Sequence, residues 1–514
     1  MQRKNYETKE NERDGFVQLL HAEWTTFRKV RKSLIGMVVA VLVTVLPGLL
    51  YAAVNDMACG GSSTVCPSPP VGPHGEAVND RFYFVHQPLD GKGSITARLT
   101  SMTGEIAYLP PNQDQNASGI VMVPGVVPWA KAGVIIKEST KQGSGYAAMM
   151  LTGSHGARMQ YNFTQDIAGS LGGVSAESPR WLRLTREGST LTGYESTNGT
   201  QWTKVGSAHL SGLPVTVQIG LFVTSPCDLT VGERSCRFTQ ATAVFDHVSL
   251  QGEASCGAWS RDDVGVAREA NGAPHHPGGL VESGGTFTVT GVGDIAPLGT
   301  EGGRTIEYPL IGAVAGLIVV MVVAVLFSTG GRLADRRSVI PQRGRVLAAK
   351  AIVIGLVTFI TQLVAAIVTV QLGKRIMLST GSVVLSVGPL TELRVMFGTA
   401  ALVGVAAVFA LALGALFRRR VVAVVVGIAL TVLPFILAVA NLVPEAWSQW
   451  LLRLTPAAGF AILQSIPKYP QVIGIYTPQV GYYPLSPWAG FAMLCGYTAL
   501  ALGLAVFVPR RRDA

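Results

Sequence analysis

Charged residues are scarce in this sequence, and its longest apolar runs have none in their central part. Asp, Glu, Lys and Arg make up 14% of the 514 residues, and the mean hydropathy is +0.37. The apolar runs are six in number: 34–54, 308–328, 351–372, 395–417, 421–442 and 488–508. Each is close to the roughly 20 residues that a helix needs to cross a bilayer. A buried core helix of a soluble protein would explain one such run, but six together predict membrane-spanning helices.

The lack of charged residues within the apolar runs also limits which transport mechanisms are possible. Carriers driven by ions or protons place Asp, Glu, His or Lys inside the membrane. These spans offer only Gln362, a few hydroxyls and Asn441 near a boundary. The sequence also lacks the Gly-x-x-x-x-Gly-Lys-[Ser/Thr] loop that cradles nucleotide phosphates. If this chain transports a substrate, the energy therefore comes from a separate protein.

Lys and Arg are unevenly distributed between the two sides of the predicted membrane. Twenty of them lie in four segments on one side: 1–33, 329–350, 418–420 and 509–514. Four lie in two loops on the other side: 373–392 and 443–487. Because basic residues favour the cytoplasmic side, we expect a multi-pass cell-membrane protein with both termini cytoplasmic and residues 55–307 extracellular.

The net charge of +10 belongs to the cytoplasmic edge, because segment 55–305 has sixteen basic and twenty-one acidic residues. This distribution argues against a nucleic-acid partner. It favours attraction to membrane lipid and to a cytoplasmic protein.

Five of the six cysteines lie in the predicted extracellular segment, which fits an oxidising compartment. Cys227 and Cys236 flank a turn-like stretch and are the preferred disulfide, with Cys59 and Cys66 as the second candidate pair. The two histidines at 275–276 have no further Cys or His at a metal-ligand spacing. No metal site is therefore predicted.

The segment before the first span has two parts. Residues 1–14 are charged without apolar periodicity and are predicted to be disordered. Residues 15–33 place Phe16, Leu20, Trp24 and Phe27 at helical spacing before a basic cluster. This pattern predicts an amphipathic interfacial helix in the plane of the lipid headgroups, with a solvated leader helix as the alternative.

Between the first two spans the apolar period changes to two. Apolar and polar residues alternate over 95–100 and 215–224, and Asn198-Gly199 is a strong hairpin signal. Several short strands predict an antiparallel, all-β sandwich over 81–252. The flanking Gly- and Pro-rich stretches are predicted to be a linker at 55–80 and a tether at 253–307, with one strand candidate near 286–290.

Four segments of this region and a closing strand at 245–248 resemble bacterial concanavalin A-like (laminin G-like) sandwiches. The segments are Trp129–Ser139, Trp181–Arg186, Tyr194–Trp202 and Gly220–Ser225. The resemblance implies that the domain binds carbohydrate or accompanies enzymes that act on it. The candidate sugar contacts are Trp129, Lys131, Glu138, Trp181 and Trp202. The alternative is that the tryptophans are core and rim residues. The carboxylates are scattered rather than clustered, so glycoside hydrolysis is not expected.

The rest of the chain resembles actinobacterial permeases of the type 2 ABC exporter family. Five segments carry this resemblance: Leu20–Arg28, Phe287–Pro297, Arg343–Lys350, Thr455–Phe460 and Arg511–Ala514. It implies that an ATPase contacts the helix before the first span and the basic loop after the second. The residues expected there are Trp24, Arg28, Arg332, Arg336, Arg337, Arg343, Arg345 and Lys350. The loop departs from the family by lacking the acidic-aromatic-basic run that usually follows the second span.

The resemblance implies the permease subunit of an ATP-driven exporter, with no covalent chemistry of its own. A separate ABC ATPase would use the ATP, and this chain would bind no cofactor. Two copies, or this chain and a homologous permease, would form the pathway in contact with membrane lipid. The alternative is a membrane-anchored module that binds or senses cell-wall or other extracellular glycan without transporting anything.

Overall fold

The computed structural model of the protein describes residues 2–54, 68–108, 121–230, 235–254, 258–268, 274–328, 340–417 and 419–507. These residues form a helical bundle and a large antiparallel β-sandwich. The sandwich is inserted between the first and second apolar helices of the bundle.

The helices of the described residues are α1 (Gln2–Lys29), α2 (Arg31–Ala53), α3 (Gly312–Ser328), α4 (Ile340–Ser379), α5 (Pro389–Leu416), α6 (Arg420–Thr431), α7 (Leu433–Val439), α8 (Glu445–Leu454) and α9 (Pro487–Phe507). Four 3₁₀ segments accompany them: Thr300–Gly302, Tyr308–Ile311, Pro456–Leu463 and Pro478–Val480. Six helical segments are long and apolar enough to cross a membrane. They confirm the six helices predicted from the apolar runs. The fifth is divided into α6 and α7 at Val432, where Pro434 enters the next turn.

The helix α5 lies at the centre of the bundle and packs against α3, α4, α6 and α9. Its buried face is rich in Gly and Ala, which lets neighbouring helices approach closely. The helices α2 and α3 also pack through small residues. A Cβ atom on Gly312 would lie 2.1 Å from Thr44 O, so this crossing requires glycine.

Two segments of the helical part differ from their sequence predictions. α1 begins at Gln2, so residues that were expected to be disordered are helical. The loop 443–487 contains α8 and the 3₁₀ segment Pro456–Leu463. All residues of this 3₁₀ segment are buried. This 3₁₀ segment packs against α5 and α9 at the sandwich-side end of the bundle.

The strands are β1 (Val78–Asp80), β2 (Phe82–Tyr108), β3 (Val121–Pro124), β4 (Lys131–Lys137), β5 (Tyr146–Thr152), β6 (Ala157–Tyr161), β7 (Gln165–Ala168), β8 (Arg180–Glu187), β9 (Thr190–Ser196), β10 (Thr203–His209), β11 (Thr216–Thr224), β12 (Asp228–Thr230), β13 (Ser235–Arg237), β14 (Thr239–Ala254), β15 (Ser260–Val264), β16 (Ala267–Arg268), β17 (Pro274–His275), β18 (Gly279–Ser283), β19 (Thr286–Gly291) and β20 (Ile295–Pro297).

Two sheets form the sandwich, and the long strand β2 belongs to both. The front sheet has the order β15-β2-β11-β4-β5-β6-β7, and the back sheet has the order β10-β9-β8-β2-β14-β19-β18. β2 passes from one sheet to the other near Gly91, whose φ of +64° favours glycine. Apolar side chains from the inner faces of both sheets form one continuous core. The predicted β-sandwich is therefore present.

The sheets extend beyond the predicted limits of 81 and 252. β15, β18 and β19 lie in the predicted tether and complete both sheets, because Phe287 and Val289 of β19 are buried in the core. β1 lies in the predicted linker, and β20 lies in the tether. These five strands are therefore structural parts of the sandwich.

The outer face of the front sheet is covered by the chain's own connections to the bundle. β1 and β20 pair antiparallel, with Val78 opposite Pro297 and Asp80 opposite Ile295. We call this pair of strands the β1–β20 ribbon. Val78 and Ile295 are buried in one cluster with aromatic side chains from β2, β5 and β11. As a result β4 and β5 are buried on both faces.

Two buried ion pairs fasten the ribbon to β4. Lys137 Nζ donates to Asp80 Oδ2 at 2.8 Å, and Lys131 Nζ donates to Asp294 Oδ1 at 2.5 Å. Each lysine also donates to a carbonyl oxygen, and each carboxylate also accepts a backbone N–H. Burial lowers the pKa of Lys137, and the Asp80 carboxylate counteracts that shift. The two lysines lie at opposite ends of β4, so they hold the ribbon at two points.

Cys227 and Cys236 form a disulfide that closes the hairpin of β12 and β13, with their Cα atoms 5.5 Å apart. This is the pair that the sequence favoured. Cys59 and Cys66, the second candidate pair, lie outside the described residues. Cys495 of α9 is a free thiol.

We expect Lys137→Met to destabilise the sandwich by about 3–5 kcal/mol, because it leaves the Asp80 carboxylate buried without its counter-charge. The measurement is pulse proteolysis of the detergent-solubilised full chain across a urea series, scored on cleavage within the sandwich. Adding Asp80→Asn should recover part of the loss. The control is Arg237→Met, which breaks the more exposed pair with Asp228 and should cost below about 1 kcal/mol. Equal losses in Lys137→Met and Arg237→Met would contradict the role of the buried pair.

Candidate functional site

The end of the bundle away from the sandwich carries the residues that the sequence associates with an ATPase. α3 begins at Gly312, shortly after the connection from the sandwich, and ends at Ser328, where Phe327 contacts Phe27 of α1. α1 packs against α2 and α4 at this end. A break at Val30, which has an extended backbone, separates α1 from α2.

One face of α1 packs against the bundle. Phe27 is buried and makes an edge-to-face contact with Phe327, with ring centroids 5.3 Å apart. Glu23 is buried one turn earlier, and its negative charge attracts Lys350 of α4. Lys350 Nζ also donates to Phe327 O at 3.1 Å. Glu23, Phe27 and Lys350 therefore join α1, α3 and α4.

This geometry corrects the predicted role of Lys350. The side chain is 1% exposed, so it cannot meet a partner at the surface. It holds α1 in place from inside. No local pattern indicates this burial, because a lysine at the end of an apolar run is usually interfacial.

The opposite face of α1 is exposed. Trp24 is 39% exposed, and the Arg28 guanidinium lies 5.8 Å from the centre of its ring. Arg345, in the first turns of α4, is exposed at the same end of the bundle. Trp24 was predicted on the apolar face with Phe16, Leu20 and Phe27. The structure places Glu23 on that face instead.

The structure does not describe the side chains of the other predicted coupling residues. Arg332, Arg336 and Arg337 lie outside the described residues. Arg343 lies in the first turn of α4, and its side chain is outside what the structure describes. The site that can be built from described side chains is therefore Trp24, Arg28 and Arg345 on the outside, with Glu23, Phe27 and Lys350 behind them.

The predicted sugar contacts do not form one site. Lys131 is fully buried in its ion pair with Asp294, so it is not available to a sugar. Glu138 follows β4 and is exposed. Trp129 is 5% exposed, and its ring stacks on His155 with centroids 3.9 Å apart.

The other two tryptophans belong to the back sheet. Trp181 lies on the outer face of β8 beside Arg98 and under Gly199. Trp202 precedes β10, and the Arg183 guanidinium stacks on its ring at 3.8 Å. Both tryptophans are thus partly covered by the protein's own arginines or turn, as expected for rim residues.

A cavity lies between the sandwich and the loop before α9. Its volume is about 570 Å³, and Trp129, Arg81 and Asp263 line it together with Gln471. Burial raises the pKa of Asp263, and His276 opposes that shift. Gln471 Nε2 donates to the carbonyl oxygen of Phe163 in the sandwich at 3.1 Å, so the loop is attached to the sandwich beside this cavity.

A smaller cavity of about 190 Å³ lies where the β1–β20 ribbon meets the start of α5. Ala77 N donates to Ser386 O at 3.0 Å beside it. The carboxylate of Glu76 faces this junction and is buried, with no hydrogen-bond partner for either oxygen. Burial raises the pKa of Glu76, and the positive charge of His74 opposes the shift.

Glu307 and Arg394 hold the 3₁₀ segment Pro456–Leu463 in place at the sandwich-side end of the bundle. Arg394 donates to the carbonyl oxygens of Ile462 and Gln464 at 3.1 and 2.7 Å. Ser465 N donates to Glu307 Oε1 at 3.1 Å, and burial raises the pKa of this carboxyl. Sequence reasoning missed both residues, because charges at the ends of apolar runs look like ordinary boundary residues.

Buried polar groups in the middle of the described spans are neutral. Thr44 Oγ1 lies 2.8 Å from Ala40 O and 3.2 Å from Gln362 Oε1. One hydroxyl hydrogen cannot serve both acceptors, so we prefer the amide orientation in which Gln362 Nε2 donates to Thr44. Thr358 and Thr369 extend this polar strip along α4. Among the described residues there is no group of three or more His, Cys, Asp or Glu placed to hold a metal ion.

No family model and no curated protein matches this chain. Several solved structures are weakly similar to part of it. A functionally unknown protein from Saccharomyces cerevisiae is 16% identical over 34% of this chain and 76% of its own, with a TM-score of 0.21. Scytalido-glutamic peptidase with a transition-state analogue inhibitor is 12% identical over 43% of this chain and all of its own, with a TM-score of 0.26. A GH43 protein, BlXynB, from Bacillus licheniformis is 15% identical over 31% of this chain and 27% of its own, with a TM-score of 0.19. Such low scores assign neither a fold nor a function.

We expect Lys350→Met to loosen α1, because it removes the donor to Phe327 O and the charge opposite Glu23. Hydrogen–deuterium exchange of the detergent-solubilised chain should become faster over residues 16–29 and stay unchanged in the sandwich. Lys29→Met, at an exposed position of α1, is the matched control and should leave exchange as in the wild type. Unchanged exchange in Lys350→Met would show that α1 is held by apolar packing alone.

The Glu76 carboxyl gives a pH-dependent prediction. Its raised pKa means that the folded state binds the proton more tightly than the unfolded state. Stability is therefore lost as pH rises from the unfolded value of 4.5 through the raised pKa. We expect Glu76→Gln to raise the Tm of the solubilised chain at pH 7.5 and to leave it unchanged at pH 4. The exposed Glu138→Gln should change neither, and a parallel pH profile for Glu76→Gln and wild type would refute the prediction.

Proposed function

We propose that this chain is the permease subunit of an ATP-driven exporter. Its α-helical part would span the cell membrane six times, with both termini cytoplasmic and the sandwich extracellular. The observation that carries the proposal is the arrangement of α1. One face is fixed to the bundle by Phe27 and by the Glu23–Lys350 attraction, while Trp24 and Arg28 face outward at the end opposite the sandwich.

This arrangement suits the transfer of force from a separate ATPase. A protein that docks on Trp24, Arg28 and Arg345 would push on α1 and α4 together, because Lys350 connects them internally. Through Phe327 the same contact reaches the end of α3. The motion would then travel along helices that continue to the sandwich side.

The neutral interior of the spans supports an external energy source. The buried mid-span polar groups that the structure describes are hydroxyls and one amide, which do not bind a coupling ion by charge. Two copies, or this chain with a second permease, would form the pathway.

We further infer that the sandwich is an accessory domain of the concanavalin A type, because its sequence motifs resemble that family. A carbohydrate-binding role receives less support, since Lys131 is buried and the tryptophans lie apart.

The test is association with a separate ABC ATPase, and we expect the partner to be one that a neighbouring gene encodes. The full chain and that ATPase are co-expressed and purified in detergent, and bound ATPase and its ATP hydrolysis are measured. We expect Arg28→Glu with Arg345→Glu to lower the association at least about tenfold, because two attractive charges become repulsive at one contact.

The control variant is Lys374→Glu with Arg375→Glu, which reverses two positive charges on the sandwich side of the bundle. It should bind the ATPase like the wild type. Retained association and retained ATP hydrolysis in the Arg28 and Arg345 variant would contradict the proposed docking site. Failure of the wild-type chain to bind the ATPase at all would contradict the exporter function.

A further inference from the structure

A small pocket on the sandwich side of the bundle contains the two basic residues of the loop 443–487. These residues are Arg453, in the last turn of α8, and Lys468, after the 3₁₀ segment Pro456–Leu463. The segments 373–392 and 443–487 together contain only four basic residues, and two of these converge on one pocket, which suggests that the pocket binds a ligand. The pocket has a volume of about 200 Å³.

The pocket combines positive charge with neutral hydrogen-bonding groups. Its walls include Gln449, Tyr476, Tyr482 and Tyr483 and no carboxylate. The Lys468 ammonium lies 4.6 Å from the centre of the Tyr476 ring, which orients it at the rim. The ion pairs found among the described residues include neither Arg453 nor Lys468. Both cations are therefore available to an anion.

Two carboxylates lie near the pocket, and neither neutralises it. Glu445 lies about two turns before Arg453 on α8 and accepts from Gln449 Nε2 at 3.2 Å. Glu307 lies behind Tyr483 and is buried, with Arg394 as the nearby positive charge. The electrostatic character of the pocket is thus set by Arg453 and Lys468.

The surface beside the pocket is strongly apolar. Trp447, Trp450 and Leu454 follow one another at helical spacing on α8 and are 67%, 55% and 59% exposed, whereas Ser448 and Leu452 are buried on the opposite face. Exposed tryptophans on a short amphipathic helix are typical of the interface between headgroups and acyl chains. Arg453 lies 5.6 Å from the Trp450 ring, so the charge of the pocket begins where this apolar face ends.

We propose that this pocket binds the phosphate group of an anionic phospholipid in the leaflet on the sandwich side. Arg453 and Lys468 contact the phosphate, the tyrosine and glutamine side chains contact the rest of the headgroup, and the acyl chains lie along Trp447, Trp450 and Leu454. A free phosphate group would use the same two cations. It would leave the adjacent tryptophan face without a role, and for that reason we assign the lipid. The proposal does not depend on the proposed transport function.

The experiment uses the full-length chain in nanodiscs that contain phosphatidylcholine with increasing phosphatidylglycerol. Native mass spectrometry counts the lipids retained after release. We expect the wild type to retain phosphatidylglycerol over phosphatidylcholine. Arg453→Gln with Lys468→Gln should lower the affinity for phosphatidylglycerol at least about tenfold, because two attractive charges near the headgroup are lost. Arg453→Lys keeps the charge and should retain most of the binding.

The matched control is Lys374→Gln with Arg375→Gln, which removes the two basic residues near the sandwich-side end of α4. It should retain phosphatidylglycerol like the wild type. Equal retention by the Arg453 and Lys468 double variant, or equal retention of both lipids by the wild type, would overturn the proposal. A second arm titrates inorganic phosphate into phosphatidylcholine nanodiscs. Saturable phosphate binding that depends on Arg453 and Lys468, without selective lipid retention, would overturn the lipid assignment in favour of a soluble phosphate.

Discussion

The buried attraction of two lysines of β4 to Asp80 of β1 and to Asp294, directly before β20, holds the sandwich and the helical bundle in one arrangement. Lys131 and Lys137 would be costly to bury alone. Asp80 and Asp294 neutralise them, and backbone groups complete the hydrogen bonding. Because β1 and β20 are also the connections to α2 and α3, the same pairs determine where the sandwich lies on the bundle. The covered front sheet, the doubly buried strands β4 and β5, and the contacts near Glu76 all follow from this attachment.

A second buried lysine connects structural elements at the other end of the bundle. Lys350 is buried against Phe327 and Glu23, and it joins three helices through one ammonium group. The two ends differ in what remains exposed. Near α1 the surface presents arginines and a tryptophan, whereas near α8 it presents tryptophans bordered by Arg453 and Lys468. Buried polar contacts lie behind both surfaces: Lys350 behind α1, and Arg394 and Glu307 at the segment that follows α8.

Much of the architecture could be predicted because its causes are local. A run of about 20 residues without charge specifies a spanning helix almost alone, and strict alternation specifies the sandwich strands. The ribbon could not be predicted, because β1 and β20 are three-residue strands whose partners lie far apart in sequence. Lys131 looked like a surface contact because alternation places it on the outer face of β4, and nothing local shows that this face is covered. Trp24 and Glu23 differ by one position, so spacing alone could not decide which of them faces the bundle.

The pairing of Val78 with Pro297 places the entry and exit of the sandwich side by side. A domain with adjacent ends can be accommodated in a loop between two helices without separating them. The six-helix bundle could therefore have acquired the sandwich as a single insertion, and the host helices α2 and α3 remain in direct contact. Replacing the whole domain by a short turn between these two positions would then leave a bundle whose packing hardly changes. In this sense the sandwich is a module inserted between two adjacent helices, and hydrogen bonds such as that from Ala77 N to Ser386 O hold it against the bundle.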